Sequence, residues 1–501
     1  MSELLINVMP AETRVALVEL GVLKELMLER HRSRSHVGDI FQGKVLRVMP
    51  GMEAAFVDIG LERAGFIHAS DISELDAQGL EVRRDKPARI GELLREGQFL
   101  TVQVMKDGIS GKGPRLSNHL TLAARHLVLL PRSLHIGVSQ RIADQKERVR
   151  LEALLRDSLI ESDWKESRGF IVRTVAEGAT QGEFIEDLGH LHRLWVKLKS
   201  RLQRPNEVRC VYSEEPIYVR SMRDLFDLHV TRILVDDAEA FDRLNTFLSD
   251  YIPEATTLLK RVDQQPPLFE LNGGNGVSIE QQIADALEKK VRLPNGGDLV
   301  IEQTESMVTI DVNTGSFVGA RDQESTILET NLEAAVAIAT QLRLRNLGGI
   351  IVIDFIDMHC EEHRIRVRQA LVDVLARDGA HSAVGGFSQF GLIEMTRKRV
   401  RESLQRVLRA PCEECSGDGH VASIDFIVAD AHRRIFALAA QEKGLRVNAR
   451  VEIIDALRGE SHASERLLGA RLEFVARPEL ARDQIEIELI DGLWSDFTPN
   501  E

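Results

Sequence analysis

The stretch Leu347-Gly-Gly-Ile-Ile-Val-Ile-Asp-Phe-Ile-Asp-Met358 constrains the fold of this chain more than any other. Four consecutive β-branched residues, Ile350 to Ile353, predict a strand buried on both faces. An unpaired carboxylate is costly in such a place, yet Asp354 ends the run and Asp357 follows it. The C-terminal ends of strands are where α/β proteins place their chemistry. Upstream, Val308-Thr-Ile-Asp311-Val-Asn313-Thr-Gly315 repeats the pattern of β-rich run, aspartate and turn residues. Between the two, residues 322–344 carry Ile327, Leu328, Leu332, Ala335, Ile338, Ala339 and Leu342 near helical spacing. Strand, helix, strand makes a βαβ unit with parallel strands. Asp311 and Asp354 then lie side by side at one edge of a sheet.

Two adjacent carboxylates repel, and one stays protonated unless a cation neutralises them. Oxygen ligands at a small open site suit Mg2+, which keeps several waters and takes substrate phosphates as further partners. Asn313, two residues beyond Asp311 on the same strand face, can orient a carboxylate or contact substrate. On spacing alone, Asp311 opening a turn and Asp354 capping a helix fit slightly better. The remainder of the chain shifts that balance.

With 501 residues, the chain has room for several domains. Its net charge of −14 argues against wholesale electrostatic binding of nucleic acid, though a local basic groove remains open. Residues 1–28 lack a basic start and are interrupted by Pro10, Glu12, Glu19 and Glu25, unlike a signal peptide. The apolar run at 350–356 falls well short of the ~20 residues of a membrane helix. Cys210, Cys360, Cys412 and Cys415 are too few for a disulfide framework. A cytoplasmic protein without membrane contact is expected.

Taken in order, residues 1–35 read as a β-meander too small to stand alone. From Val37, short strands with glycine corners follow at 38–48, 53–60 and 63–68, with more at 99–105 and 116–122, predicting a small OB-type barrel. "GKVLRV", "AFVDIG" and "GFIH" resemble an S1 RNA-binding domain. Phe41, Phe56 and Phe66 sit where that fold stacks unpaired bases, with Lys112 and Arg115 available to phosphates. Core packing is the ordinary fate of phenylalanine and suits one or two of these. Residues 70–98 read as a polar insertion.

Helices at 144–159 and 182–201 flank a strand at 169–174 that ends in Arg173 and Thr174, a pair able to hold a phosphate. By itself such a pair is ordinarily just solvated. Residues 220–291 read as mostly helical and are taken to complete the domain begun by 1–35. The acidic unit follows, ending in a helix from Glu394 that carries Arg397, Lys398, Arg399, Arg401, Arg406 and Arg409. Such a charge run is usually a solvated face; here it lies downstream of the acidic site, where a phosphate backbone needs neutralising.

Pro411-Cys412-Glu-Glu-Cys415-Ser-Gly-Asp-Gly419 is a thiolate knuckle. Structural zinc takes four ligands and no second C-x-x-C occurs; His420 would still leave the site one short. A second copy of the knuckle from another protomer completes it. A redox dithiol, the alternative, normally opens a helix after a strand, whereas this pair lies in a glycine-rich linker. His359, Cys360 and His363 lack a fourth ligand and read as incidental. Residues 421–501 form a small α/β tail, with a helix at 428–440 and strands at 450–454, 471–475 and 484–489, suited to assembly.

Together "TIDVNTGSFVG", "NLEAA", "QLRLRNLGGIIVIDFIDM", "GLIEMTRKR" and "PCEECSGDG" resemble the ribonuclease E/G family over essentially the whole chain. The lack of a long disordered scaffold, with "VDIGLERAGFIHASDI" and "TRKRVRES", places it with the family's shorter branch. The resemblance implies an α/β multidomain architecture. Residues 1–35 and 220–285 would form one ribonuclease H-like subdomain, interrupted by an S1 domain at 36–125 and a 5′-sensor subdomain at 126–219. A deoxyribonuclease I-like catalytic subdomain would span 286–409, a zinc-link 410–420 and a small C-terminal domain 421–501. It further implies Mg2+ on Asp311 and Asp354 assisted by Asn313, and RNA held by Phe56, Phe66 and Lys112. A 5′-monophosphate would be sensed by Arg173 and Thr174, and zinc shared through Cys412 and Cys415 in a homodimer or homotetramer. Implied substrates are A/U-rich single strands, including precursor 16S rRNA and some mRNA, cut to leave 5′-phosphate and 3′-hydroxyl. Gln389 departs from the arginine of the family's longer branch, which puts a basic contact there in doubt. Two rival readings are a non-catalytic S1-type RNA-binding protein and a zinc-stapled assembly protein.

Overall fold

Alternation, rather than uniform burial, shapes the strand Gly349–Asp354: Ile351 and Ile353 are fully buried, Ile350 is 51 % exposed and Val352 half-buried. The expectation of burial on both faces is therefore corrected. In this computed structural model the described residues are 2–490, apart from 77–78, 83–87, 109–111, 143, 163, 165, 204–206, 226–229, 264–266, 271–275, 316–322, 377, 400, 440–443 and 469–471. The chain divides into two compact units, Met1–Ser403 and Leu404–Glu501.

In the larger unit, six strands lie in the order Lys290–Arg292, Asp298–Gln303, Met307–Asn313, Gly349–Asp354, Leu392–Arg397, Ser382–Phe387. Only Met307–Asn313 and Gly349–Asp354 run parallel, joined by the helix Gln323–Leu344. That helix packs Leu328, Ala335, Ile338 and Leu342, with Val367 and Leu371 of the helix Glu361–Leu375, onto Val308, Ile310, Ile351, Ile353 and Ile393. Each fully buried Val, Leu or Ile among them contributes about 1.5–3 kcal/mol of transfer free energy. The opposite face, carrying Ile350, Val352 and Asp354, is left open.

Leu392–Arg397, expected as the start of a basic helix, is a strand paired antiparallel with Gly349–Asp354. Its burial alternates, with Ile393 and Met395 entering the core, so period two prevails over the helix-like charge spacing. Arg397 is buried rather than solvated, donating to Asp378 (2.6 Å) and to the Leu347 carbonyl (2.6 Å). An ion pair with these hydrogen bonds is what makes a buried charge tolerable.

A five-stranded sheet joins the chain's beginning to its middle: Ser2–Val8 runs parallel to Val230–Val235, which neighbours Leu259–Arg261. The 220–291 stretch is largely helical as expected, with Ala238–Tyr251 and Ile279–Asp285, but its short β-branched run at 230–235 is recruited by a distant strand, which no local pattern announces.

The barrel orders Arg209–Tyr212, Ile40–Met49, Ala54–Asp58, Gly65–His68, Arg115–Ser117, Phe99–Lys106, and closes by pairing Ile40–Lys44 with Phe99–Gln103. Arg209–Tyr212, from beyond the expected barrel region, extends this sheet, while Leu122–Ala123 joins a four-stranded sheet with Leu127–Leu130, Gly169–Val172 and Ile136–Val138. The helices Gln145–Glu161 and Gln181–Leu202 cover the latter around Phe170 and Phe184. Thr180 and Glu183 form a capping box at the second helix.

The smaller unit holds strands Leu472–Ala476, Gly444–Ala449 and Glu486–Ile490 with helices Ile424–Ala439 and Val451–Leu468. The strand expected at 450–454 is the start of the second helix: Ile453, Ile454 and Leu457 recur at helical spacing and enter the core together. Among the described residues, no helix is long and apolar enough to cross a membrane.

Candidate active site

The parallel register sets Asp311 directly opposite Asp354. Both side chains are exposed on the sheet's open face, as are Asn313 and Asp357. The Asn313 amide donates to Asp311 Oδ2 at 2.8 Å, so the asparagine orients one carboxylate. Burial, then the charges of Asp311 and Asp357, push the Asp354 carboxyl above its usual range. Adjacent carboxylates crowded onto an open face, with both charges acting on Asp354 negative, form a donor set that fits a hard divalent cation. Among the described residues no group of three or more His, Cys, Asp or Glu side chains is arranged for a metal.

Asn331 was missed by sequence reasoning. Fully buried on the helix behind the sheet, it donates to the Ile356 carbonyl (2.8 Å) and accepts from the Ile356 amide (3.1 Å). This clamp fixes the turn between Asp354 and Asp357. A polar residue inside an otherwise apolar helix stripe was the available signal.

On the barrel, Phe56 and Phe66 are cross-strand partners, with ring centroids 6.0 Å apart in an edge-to-face arrangement. Both are half-buried, whereas Phe41 is part of the barrel core. The loop bearing exposed Lys112 is tied to the Phe66 strand: the Phe66 amide donates to the Pro114 carbonyl at 2.7 Å. Gly113 must be glycine, since a Cβ there would fall 1.8 Å from the Ala64 carbonyl oxygen. The structure thus pairs Phe56 with Phe66 and ties the backbone that carries Lys112 to the Phe66 strand. Arg115, opposite Phe66, is paired with Asp71 at 2.9 Å.

Arg173 and Thr174 lie at the end of the strand Gly169–Val172. The Arg173 guanidinium donates to the carbonyls of Ala124 (2.9 Å) and Arg125 (3.1 Å) and to Asp224 (2.6 Å). Burial raises the Asp224 carboxyl, but Arg223 and Arg173 outweigh it and hold the group below its ordinary range. Thr174 Oγ1 lies 3.0 Å from Ser139 Oγ. Neither Asp224 nor Ser139 was predictable, being 51 and 35 residues from their partners. Nearby, buried Asp187 accepts from the amides of His126 (2.7 Å) and Leu127 (2.9 Å). Burial nonetheless pushes its carboxyl up to about 7. The same burial, with Arg125, brings His126 down to about 4.

In the smaller unit, Cys412 is exposed and Cys415 half-buried. Ser416, Gly417 and Gly419 take left-handed φ of 50°, 90° and 82°, curling the backbone around Cys415. The Gly419 amide donates to its sulfur at 3.3 Å, and with the Gly417 amide it holds the thiol below its usual range. Arg450 braces the knuckle by donating to Glu414 (2.8 Å) and to the Leu480 carbonyl (2.8 Å). Outside these sites, the Cys360 amide donates to Glu324 (3.2 Å), with His363 3.7 Å from the same carboxylate, at the helix start where both read as incidental.

Comparison with known proteins follows the same outline. The sequence model of the S1 RNA binding domain matches residues 34–106, and that of the Ribonuclease E/G family matches residues 121–400. Ribonuclease G of Escherichia coli (strain K12) is 43 % identical over 98 % of this chain and 100 % of its own length. Ribonuclease G of Haemophilus influenzae is 46 % identical over 86 % of this chain and 87 % of its own length. Ribonuclease E of Nostoc sp. is 36 % identical over 77 % of this chain but only 55 % of its own length. An S1 RNA binding domain joined in one unit to an acidic sheet, in a chain this similar to ribonuclease G, makes it an endoribonuclease of RNA processing. The chain belongs to the Ribonuclease E/G family, on the ribonuclease G branch.

Proposed function

We propose that this endoribonuclease hydrolyses single-stranded RNA at Asp311 and Asp354 with Mg2+, leaving a 5′-phosphate and a 3′-hydroxyl. The observation that carries the reading is the residue-for-residue pairing of these two carboxylates on an open sheet face, where the Asp311 charge helps push the Asp354 carboxyl above its usual range. Asp311 and Asp354 would hold the ion, and Asn313 fixes the Asp311 rotamer. Bound there, Mg2+ supplies Lewis-acid stabilisation of charge on the scissile phosphate and of the attacking water. Phe56 and Phe66 present ring surface to unpaired bases, and Lys112 neutralises a phosphate beside them. A/U-rich single strands suit such a site, because it grips bases only when they are out of a duplex. Precursor 16S rRNA and mRNA are the proposed natural substrates.

Arg173 and Thr174 are proposed to receive a 5′-monophosphate. The phosphate would join or displace Asp224 on a guanidinium already oriented by two carbonyls, and charge-assisted bonds of this kind are the strong ones. Cys412 and Cys415 are proposed to bind zinc together with the same pair from a second copy, since the knuckle supplies two thiolates to a four-coordinate ion.

The test uses a short A/U-rich RNA carrying either a 5′-monophosphate or a 5′-hydroxyl, incubated in Mg2+ and in EDTA. Mg2+-dependent cleavage favouring the monophosphate supports both sites. Cleavage indifferent to the 5′ end removes the sensor alone; binding without cleavage removes the Mg2+ reading.

A further inference from the structure

The hairpin formed by Ser382–Phe387 and Leu392–Arg397 turns at the end of the sheet that bears the acidic pair. Leu392 is the antiparallel partner of Asp354, so the turn at 388–391 starts one residue from that carboxylate's neighbour. An added Cβ on Gly391 would lie 3.4 Å from Asp357 Oδ1, which places this backbone against the acidic cluster.

The turn is held firmly. Ser388 N–H donates to the Leu392 carbonyl at 2.8 Å, and Gly391 N–H to the Ser388 carbonyl at 3.1 Å. The Ser388 hydroxyl oxygen accepts from the amides of Phe390 and Leu392, both at 3.3 Å. Between Val384 and Phe387 the pairing slips by one residue, a bulge that re-aims the tip. Arg368 braces the bulge through the carbonyls of Gly385 (2.7 Å) and Val384 (3.2 Å). Phe387 packs on Phe355, ring centroids 6.1 Å apart, and anchors the base of the tip. Phe390, on this braced tip, is 86 % exposed.

We propose that Phe390 stacks on an unpaired nucleobase of the bound RNA and positions the nucleotide adjoining the scissile phosphate. The proposal rests on Asp311 and Asp354 being the cleavage site. A single exposed apolar side chain is commonplace on a surface. This one stands on backbone fixed by four hydrogen bonds, beside Asp357 and the strand partner of Asp354, in a chain that carries an S1 RNA binding domain. A phenyl ring there has no hydrogen bond to offer, so it serves whichever base arrives. Rigid placement means little conformational freedom is lost on stacking. The barrel pair Phe56–Phe66 grips bases on its own sheet, whereas Phe390 acts at the nucleotide being cut.

The test compares Phe390→Leu, Phe390→Ala and Phe390→Trp. Stacking per base amounts to about a fivefold to hundredfold change in affinity. Leucine and alanine should raise KM for a short A/U-rich RNA by about tenfold within that range, and tryptophan should restore it. In an Asp354→Asn background that holds the RNA uncut, 2-aminopurine scanned along the strand should be quenched beside the cleavage position. That quenching should vanish with Phe390→Leu. Unchanged KM and quenching in Phe390→Leu and Phe390→Ala would overturn the proposal, as would equal impairment of all three variants. Failure of the unsubstituted protein to cut RNA in Mg2+ would instead strike the reading of Asp311 and Asp354, while loss of quenching in Phe390→Leu, at whichever position is quenched, would still report on Phe390.

Discussion

The Asn313 amide donates to Asp311 from two residues along the same strand, on the face where Asp311 meets Asp354. Period two makes this contact almost automatic in an extended strand. The bond holds Asp311 Oδ2 and so fixes the orientation of that carboxylate. Removing a partner that orients a metal ligand typically costs about 10–100-fold in metal affinity. Asn313→Ala should therefore raise the Mg2+ concentration for half-maximal cleavage by that factor, and saturating Mg2+ should recover most of the rate. A Mg2+ titration of cleavage checks this.

The edge-to-face pair Phe56–Phe66 joins rings from two strands, the pair proposed to stack unpaired bases. Phe56→Ala and Phe66→Ala should each weaken RNA binding by about tenfold. Because each ring supports the other, the double variant should lose less than the two effects combined. Binding isotherms on the two single variants and the double variant decide it.

Cys415 is held by two glycine amides that favour its thiolate, while Cys412 stands exposed next to it. With zinc shared between copies, Cys412→Ser should abolish bound zinc and halve the particle mass of a dimer. Metal analysis should give one zinc per two protomers in the unsubstituted protein, and light scattering reports the mass. Zinc at one per protomer would speak for a site completed within one chain.

Asp187 supplies a pH dependence with a definite sign. Its folded-state pKa, about 7, lies above its unfolded value. The stability it confers is thus fully present below about pH 4, is lost as pH rises toward 7, and stays lost above. The loss is on the order of 4 kcal/mol at most. Asp187→Asn removes that titration while keeping an oxygen for the amides of His126 and Leu127. Thermal unfolding of the two proteins should give similar midpoints near pH 4.5 and a higher midpoint for the variant at pH 8. His126, held down to about 4, acts oppositely: its contribution is present above about pH 6.5 and fades as pH falls through 4. Because His126 Nδ1 lies 3.8 Å from Asp187 Oδ2, the comparison at pH 8, where His126 is neutral in both proteins, is the one that isolates Asp187.

Much of the acidic unit is legible along the chain because its signals are local and periodic. Ile327 to Leu342 announce the connecting helix, and the two β-rich runs announce parallel partners, which leaves Asp311 and Asp354 only one way to meet. Leu392–Arg397 misleads because Glu394, Arg397, Lys398 and Arg401 recur at helical spacing; the tertiary pairing with Gly349–Asp354 overrides them. Residues 450–454 mislead in the other direction, since a short apolar run reads equally as strand or helix. Contacts such as Arg173 with Asp224 and Asn331 with Ile356 depend on segments brought together only by the fold. The exposure of Phe390 is likewise a property of the turn, not of its neighbours in sequence.

On the proposed function, Asp311 and Asp354 together make the site of Mg2+-dependent cleavage. Its most direct measurement is single-turnover cleavage of one 5′-monophosphorylated A/U-rich RNA by the unsubstituted protein and by Asp354→Asn, with RNA affinity measured on both. Losing stabilisation of several kcal/mol at the scissile phosphate should slow the variant by about 10³-fold or more, while its RNA affinity stays within about twofold, under 0.5 kcal/mol. Cleavage by Asp354→Asn at the unsubstituted rate, or undiminished cleavage in EDTA, would contradict the account.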